Sequence, residues 1–258
     1  MVSTSVSPDD RDTPRDAAAV LAATAELGGY FAVASGGAGE GAHLADLIRD
    51  PTTAVTFVDR TRLAIATSMG CDPDRIPVRM AASSFQLNVV SRLISPVIGS
   101  AVLGSAVPLF TAESVRWRAA DDHSPRFHTA GVQCVPAPTL ARAAALVSAS
   151  LLATIVGPLN DTLSSAVSLS GRVSWGNAIS AANGAVTVMG MARPELVQRG
   201  RALVQALLDL DQLRGSGLFN GNQFVRRSCC LFYQAPMGGL CGDCVLAVSD
   251  GSQQTRVH

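Results

Sequence analysis

Four cysteines within sixteen positions, in the order Cys-Cys, ten residues, Cys-x2-Cys, constrain this chain more than any other feature. The segment reads RRSCCLFYQAPMGGLCGDCVL, and the thiols are Cys229, Cys230, Cys241 and Cys244. A Cys-x2-Cys turn brings two sulfurs to one centre because the backbone curls and its amide N–H groups point at them. Gly242 leaves that turn uncrowded, and Gly238 and Gly239 give the return of the ten-residue loop its flexible backbone. The adjacent pair needs a bend, since neighbouring side chains on a strand face opposite sides.

Three occupants suit four thiolates. Structural zinc accepts them tetrahedrally, although its cysteine pairs are usually two to four residues apart. A [4Fe–4S] centre takes four cysteines, typically from a Cys-x2-Cys-x2-Cys run that is absent here. A [2Fe–2S] centre needs two thiolates on each iron and spreads its sulfurs more widely, which suits two ligand pairs joined by a loop. Arg226 and Arg227 precede the pair as candidates for positive charge beside the centre, or as a solvated basic pair. Leu231, Phe232, Tyr233, Leu240, Val245 and Leu246 are expected to wall the sulfurs from water. Cys71 and Cys134 stand alone in sequence and read as inert thiols.

The remaining composition narrows the setting. Of 258 residues, 48% are apolar and only 16% charged, with Lys+Arg and Asp+Glu both at 20. No basic block compensates for that balance, so a nucleic-acid role is not expected. The opening MVSTSVSPDDRDTPRD lacks the positive start of a secretory signal. LISPVIGSAVLGSAVPLF, from Leu93 to Phe110, is charge-free, but its prolines, serines and glycines make it a buried helix with a break near Pro108, not a membrane span. Cytoplasmic residence follows, where thiols stay reduced and a cysteine cluster signals metal before disulfides.

Along the chain, residues 1–16 read as a disordered lead-in and 17–113 as mostly helical. Within the latter, TTAVTFVDRTRLAIATSMG is expected to form a short hairpin around its charged centre. Residues 79–107 read as one broken or two packed helices. Residues 114–138, polar and rich in turn formers, read as a connecting segment in which His123 and His128 are solvated. Residues 139–222 return to helix, and 223–258 hold the cysteine module and a tail. The expected fold is mainly α, or helix-dominated α+β, with a small C-terminal cysteine-ligated module.

The segment CCLFYQAPMGGLCGDC resembles the signature of the ferric-siderophore reductase family, the FhuF-like (2Fe-2S)-binding proteins. The likeness extends less sharply to RLISPVIGSAVL at 92–103, SVRW at 114–117 and VSWGNAISAANGA at 173–185. Val245 stands where that family typically has proline after the last cysteine. The resemblance implies that Cys229, Cys230, Cys241 and Cys244 hold one [2Fe–2S] cluster. It also implies that the protein reduces siderophore-bound ferric iron, of hydroxamate type, by one electron in the cytoplasm. No Gly-x-Gly-x-x-Gly signature offers a dinucleotide site, so an external donor such as a ferredoxin or a flavin-linked reductase is the expected partner. Arg116, Trp117, Arg118, Trp175 and Asn177 are the candidate contacts for a bulky chelate; packing is the competing role for the tryptophans. A zinc-stabilised binding protein, and an iron–sulfur electron carrier without a siderophore site, are the alternative functions.

Overall fold

The computed structural model describes residues 15–35, 41–119, 125–129 and 131–249. Apart from Arg15 and Asp16, the expected disordered lead-in lies outside them, as does His123. Helix α1 spans Ala17–Ala25, strand β1 Ala34–Ser35, β2 Ala42–His43 and α2 Leu44–Arg49. Helix α3 (Pro51–Ser68) occupies the stretch that the sequence marked as a hairpin. Local chemistry explains the difference. Asp50 caps the helix by accepting from the Thr52 and Thr53 N–H groups, Pro51 sits in its first turn, and Gly70 follows its end. The Thr56, Thr61 and Thr67 hydroxyls donate to carbonyls four residues back, so β-branched residues that suggested a strand are accommodated.

Helix α4 (Val78–Leu103) is a single helix that carries Pro96 within it. It runs through the core and packs against α1, α3 and the later helix α7 (Gly171–Ala192). Gly99 permits the closest approach to the N-terminal segment: a Cβ there would lie 2.7 Å from Thr24 and 2.8 Å from Phe31. Pro108 belongs to strand β3 (Ala106–Leu109), opposite Cys134 of β6 (Gln133–Pro136) in an antiparallel pair.

The polar stretch read as a connector is β structure. Strands β4 (Val115–Ala119) and β5 (Pro125–Thr129) pair antiparallel, with β2 on the far side of β4 and β1 parallel to β5. Val115, Trp117 and Phe127 point inward while Arg118 and Arg126 are exposed, an alternation of period two that the charged residues hid.

Helix α5 (Leu140–Val147) continues through a π-helical stretch, Ser148–Val156, into α6 (Gly157–Val167). After α7 come α8 (Val197–Leu208), the antiparallel hairpin β7 (Gly217–Asn220) and β8 (Gln223–Arg226), and a short α9 (Val245–Ser249). Gly221-Asn222 makes the two-residue hairpin turn, with Gly221 at φ 58°. The fold is thus mainly helical with small sheets, and four of its six cysteines gather near the C-terminus. Val78–Leu103 and Leu140–Val167 are each long and apolar enough to cross a membrane. Of their most apolar windows, 72% of the first is buried inside the protein and 39% of the second.

Candidate metal centre

Strand β8 delivers the chain to the cysteines, and a bend follows them. Leu231 adopts a left-handed conformation at φ 69°, and its N–H donates to the Cys229 sulfur at 3.3 Å. This is the departure from strand geometry that an adjacent ligand pair requires. A single turn of 3-10 helix at Phe232–Gln234 then starts the ten-residue loop. The chain returns through the Cys-x2-Cys turn, closed by Cys244 N–H donating to the Cys241 carbonyl at 3.1 Å. Across the two pairs, the sulfurs of Cys230 and Cys241 lie 3.8 Å apart and share a hydrogen bond.

The thiols influence one another strongly. The hydrogen bond with Cys241 lowers Cys230 to about 6 against the opposing effect of burial, with Arg226 contributing in the same direction. The same shared proton raises Cys241, and burial and Asp243 add to it. Burial pushes Cys229 up, partly offset by the Leu231 N–H, while Cys230 and Cys244 raise it further. Cys230 and Cys244 are buried; Cys229 and Cys241 are half-buried. Among the described residues, no three His, Cys, Asp or Glu side chains are arranged to hold a single metal ion.

Arg226 is 1% exposed, the largest fully buried side chain among the described residues. Among the described residues it makes no ion pair with a carboxylate. Its Nη2 donates to Asn177 Oδ1, and its Nε has no partner. The Asn177 amide nitrogen is directed at the Ser83 carbonyl, the Ser83 hydroxyl and Gln86 Oε1, at 3.0–3.1 Å. Gln86 in turn donates to Asn160 Oδ1 at 3.0 Å and the Ser174 carbonyl at 3.2 Å. One polar network therefore joins β8 to α4, α6 and α7 inside the core.

Gly176 makes this docking possible. A Cβ at that position would lie 2.0 Å from the Ser228 hydroxyl, one residue before the first cysteine. Ser228 Oγ, Asp243 Oδ2 and Arg226 Nε are all buried without hydrogen-bond partners. Orphaned polar atoms thus crowd the segment that carries four soft thiol donors. A buried cation beside clustered thiols suits an anionic thiolate-held group.

A family model described as the FhuF 2Fe-2S C-terminal domain matches residues 226–246. The segment is FhuF-like. The matched stretch begins at the buried Arg226 and includes all four clustered cysteines, and together they support a [2Fe–2S] cluster. The match is confined to this segment and includes none of the three weaker stretches of likeness. No curated protein matches the chain.

The other candidate residues are dispersed. Arg227 is exposed, unlike its neighbour. Trp117 is buried, edge-on to Phe57 with ring centroids 4.2 Å apart, and Arg118 lies on the surface beside it. Both border a cavity of about 660 Å³ between α2, α3 and β4. Arg116 donates to the Gly41 carbonyl at 3.2 Å. Trp175 is half-buried against the core, and Asn177 is fully buried. Neither borders the Trp117 cavity.

The expected apolar wall opens outward: Phe232, Tyr233 and Leu240 are 37%, 46% and 45% exposed, so burial of the sulfurs comes from the core side. Cys71 is half-buried. Cys134 is fully buried, and burial raises its thiol to about 11, as suits an inert group. Sequence reasoning missed the depth of Arg226 and the place of Gln86, and it took Asn177 for a chelate contact when Asn177 is the buried partner of Arg226, because a polar residue on an apolar helix does not announce its partner.

Proposed function

We propose that this protein is a siderophore-iron reductase, with Cys229, Cys230, Cys241 and Cys244 holding the cluster. The observation that carries the reading is the FhuF 2Fe-2S match over a segment whose four thiols the fold gathers between the core and the surface. When bound, a [2Fe–2S] cluster supplies electrons one at a time. Ferric iron in an oxygen chelate needs one: the added electron lowers its charge, weakens each iron–oxygen contact and speeds release of ferrous iron. The siderophore itself need not be cleaved.

The chain's own residues set the conditions. Arg226 places fixed positive charge beside the thiols from the core side, which favours the form carrying the extra electron. Its bond to Asn177 holds the guanidinium in place. The Leu231 N–H steadies the Cys229 sulfur. Replenishing the electron falls to an external donor, a ferredoxin or flavin-linked reductase, and the reducing cytoplasm is the setting that keeps the thiols available.

Anaerobic visible spectroscopy tests this. Purified protein with about two irons and two acid-labile sulfides per chain is reduced with dithionite, freed of excess and titrated with ferric siderophores. Reoxidation with one ferrous iron appearing per cluster is the expected result. A cluster that cycles reversibly but is indifferent to every ferric siderophore would make the protein an electron carrier instead.

A further inference from the structure

A groove of about 850 Å³ runs along α7, walled by α8 and the β7–β8 hairpin, and ends at Gly242 and Asp243 between two of the cysteines. We propose that this groove is the binding site for a near-neutral iron(III) chelate; the proposal rests on the reductase reading above.

Position separates it from two other cavities among the described residues. The one beside Trp117 contains no residue of the 226–246 segment. Another, beside Leu231 and Gln234, touches the segment but encloses only about 370 Å³, near the lower end for sites that surround a drug-sized ligand. The α7 groove combines ample volume with a boundary formed by residues inside the Cys-x2-Cys turn. A chelate resting against Gly242 is one residue along the chain from Cys241 and two from Cys244.

The lining suits such a ligand. Arg201 on α8 is half-buried, with no ion pair to a carboxylate among the described residues, and it faces the same groove as Asp243. One cation and one anion leave the lining near neutral, which favours a trishydroxamate complex, itself neutral, over a triply anionic triscatecholate. Asn183, Asn222 and Gln223 add amides able to donate to, or accept from, the periphery of a chelate.

Gly184 is the most telling residue. It lies within α7, a position where glycine destabilises a helix relative to alanine. Its φ is not positive, and a Cβ there would meet nothing within 4 Å. Neither conformation nor packing calls for glycine, so the fold leaves this stretch of groove open at a cost in helix propensity. Gly242, at the far end, is also open in the same sense.

The test uses full-length, cluster-loaded protein and the gallium(III) and iron(III) complexes of a linear trihydroxamate. Calorimetry with the redox-inert gallium complex reads binding apart from electron transfer. Gly184→Phe is expected to weaken binding at least tenfold and Arg201→Gln about threefold, with helical content and cluster absorbance unchanged. Gly184→Ala, which adds one methyl, should stay within about threefold of the parent, and Asp46→Trp, which plugs the Trp117 cavity, within twofold. Reoxidation of the reduced cluster by the iron complex should slow in the same order, whereas reoxidation by ferricyanide should not change. By the same calorimetry the gallium(III) complex of a triscatecholate should bind the parent protein more weakly than that of the trihydroxamate; equal or tighter binding would overturn the charge assignment. If the parent protein reduces the iron trihydroxamate and Gly184→Phe binds and reacts equally well, the groove is not the site and the reductase reading stands. Loss of binding in Asp46→Trp alone would move the site to the Trp117 cavity. A parent protein that reacts with ferricyanide but neither binds nor reduces any ferric chelate would remove the reductase reading and this site together.

Discussion

Replacing Arg226 with Met should change stability in opposite directions in the metal-free and cluster-loaded protein. In the metal-free protein the guanidinium is 1% exposed and has no carboxylate partner among the described residues. A buried charge left uncompensated costs about 3–5 kcal/mol. Methionine fills similar volume without charge but removes the donor to Asn177 Oδ1, a loss of about 1–3 kcal/mol. The difference leaves Arg226→Met roughly 2 kcal/mol more stable, or roughly 4–8 °C in Tm for a chain of about this size. The comparison belongs at pH 5 with reductant, where Cys230, lowered to about 6, is mostly protonated and supplies little counter-charge. In the loaded protein the sign reverses, because the substitution removes positive charge beside an anionic cluster. Iron should then be lost faster to a chelator. The reduction potential should fall too: for one electron, 59 mV corresponds to about 1.4 kcal/mol, so a lost interaction of about 1 kcal/mol reads as roughly 40 mV. Thermal melts of both forms, chelator-release kinetics and a redox titration supply the measurements. A metal-free Arg226→Met protein less stable than its parent would show that the arginine serves the fold alone, and an unmoved potential would refute its electrostatic role.

Further outcomes follow from the same geometry. Arg227→Gln should move the potential by less than half the Arg226→Met shift in the same redox titration, since Arg227 is exposed and screened by solvent. Cys244→Ser should leave the cluster labile or absent, with siderophore reduction at background, while circular dichroism reports an intact helical body; undiminished turnover in a verified cluster-free variant would mean the electrons travel another way. Cys71→Ser and Cys134→Ser should each retain two irons per chain, and iron loss in a folded variant of either would expose a misassigned ligand set. Gly176→Ala should loosen the cysteine segment, because its methyl would meet Ser228 Oγ at 2.0 Å, and faster iron release at unchanged helicity is the expected reading.

The cysteine segment was legible because its chemistry is local: thiol number, spacing and the need for a bend are all written in sixteen consecutive residues, and Leu231 supplies the bend. The helical class was legible for the same reason, from long apolar stretches such as Val78–Leu103. Misreadings arose where local signals conflict. Threonines and valines in Pro51–Ser68 favour strands by type, yet Asp50 and Pro51 start a helix and the hydroxyls find carbonyls within it. In 115–129 the arginines masked an inward face of Val115, Trp117 and Phe127. The hairpin before the cysteines carried a readable signal in Gly221-Asn222, obscured by the helical patterns preceding it. Asn177 carried none, because its partners Ser83 and Gln86 lie more than ninety residues away and meet it only when α4 packs on α7.

That long-range meeting bears on how the cysteines are held. A ten-residue loop with exposed Phe232, Tyr233, Met237 and Leu240 has little core of its own. Its order must come from its ends. At one end Arg226 passes between helices to Asn177, and Gly176 lets Ser228 seat against α7. At the other, Arg226 N–H donates to the Asp243 carbonyl at 3.1 Å, which ties the Cys-x2-Cys turn back to β8. Arg226 thus secures both ligand pairs, by its side chain through the core and by its backbone across the loop. The two roles are separable: a substitution at 226 removes the first and preserves the second, since every residue but proline keeps the N–H. The structural tie between ligand pairs should therefore survive Arg226→Met, leaving charge as the principal quantity that the substitution changes at the sulfurs.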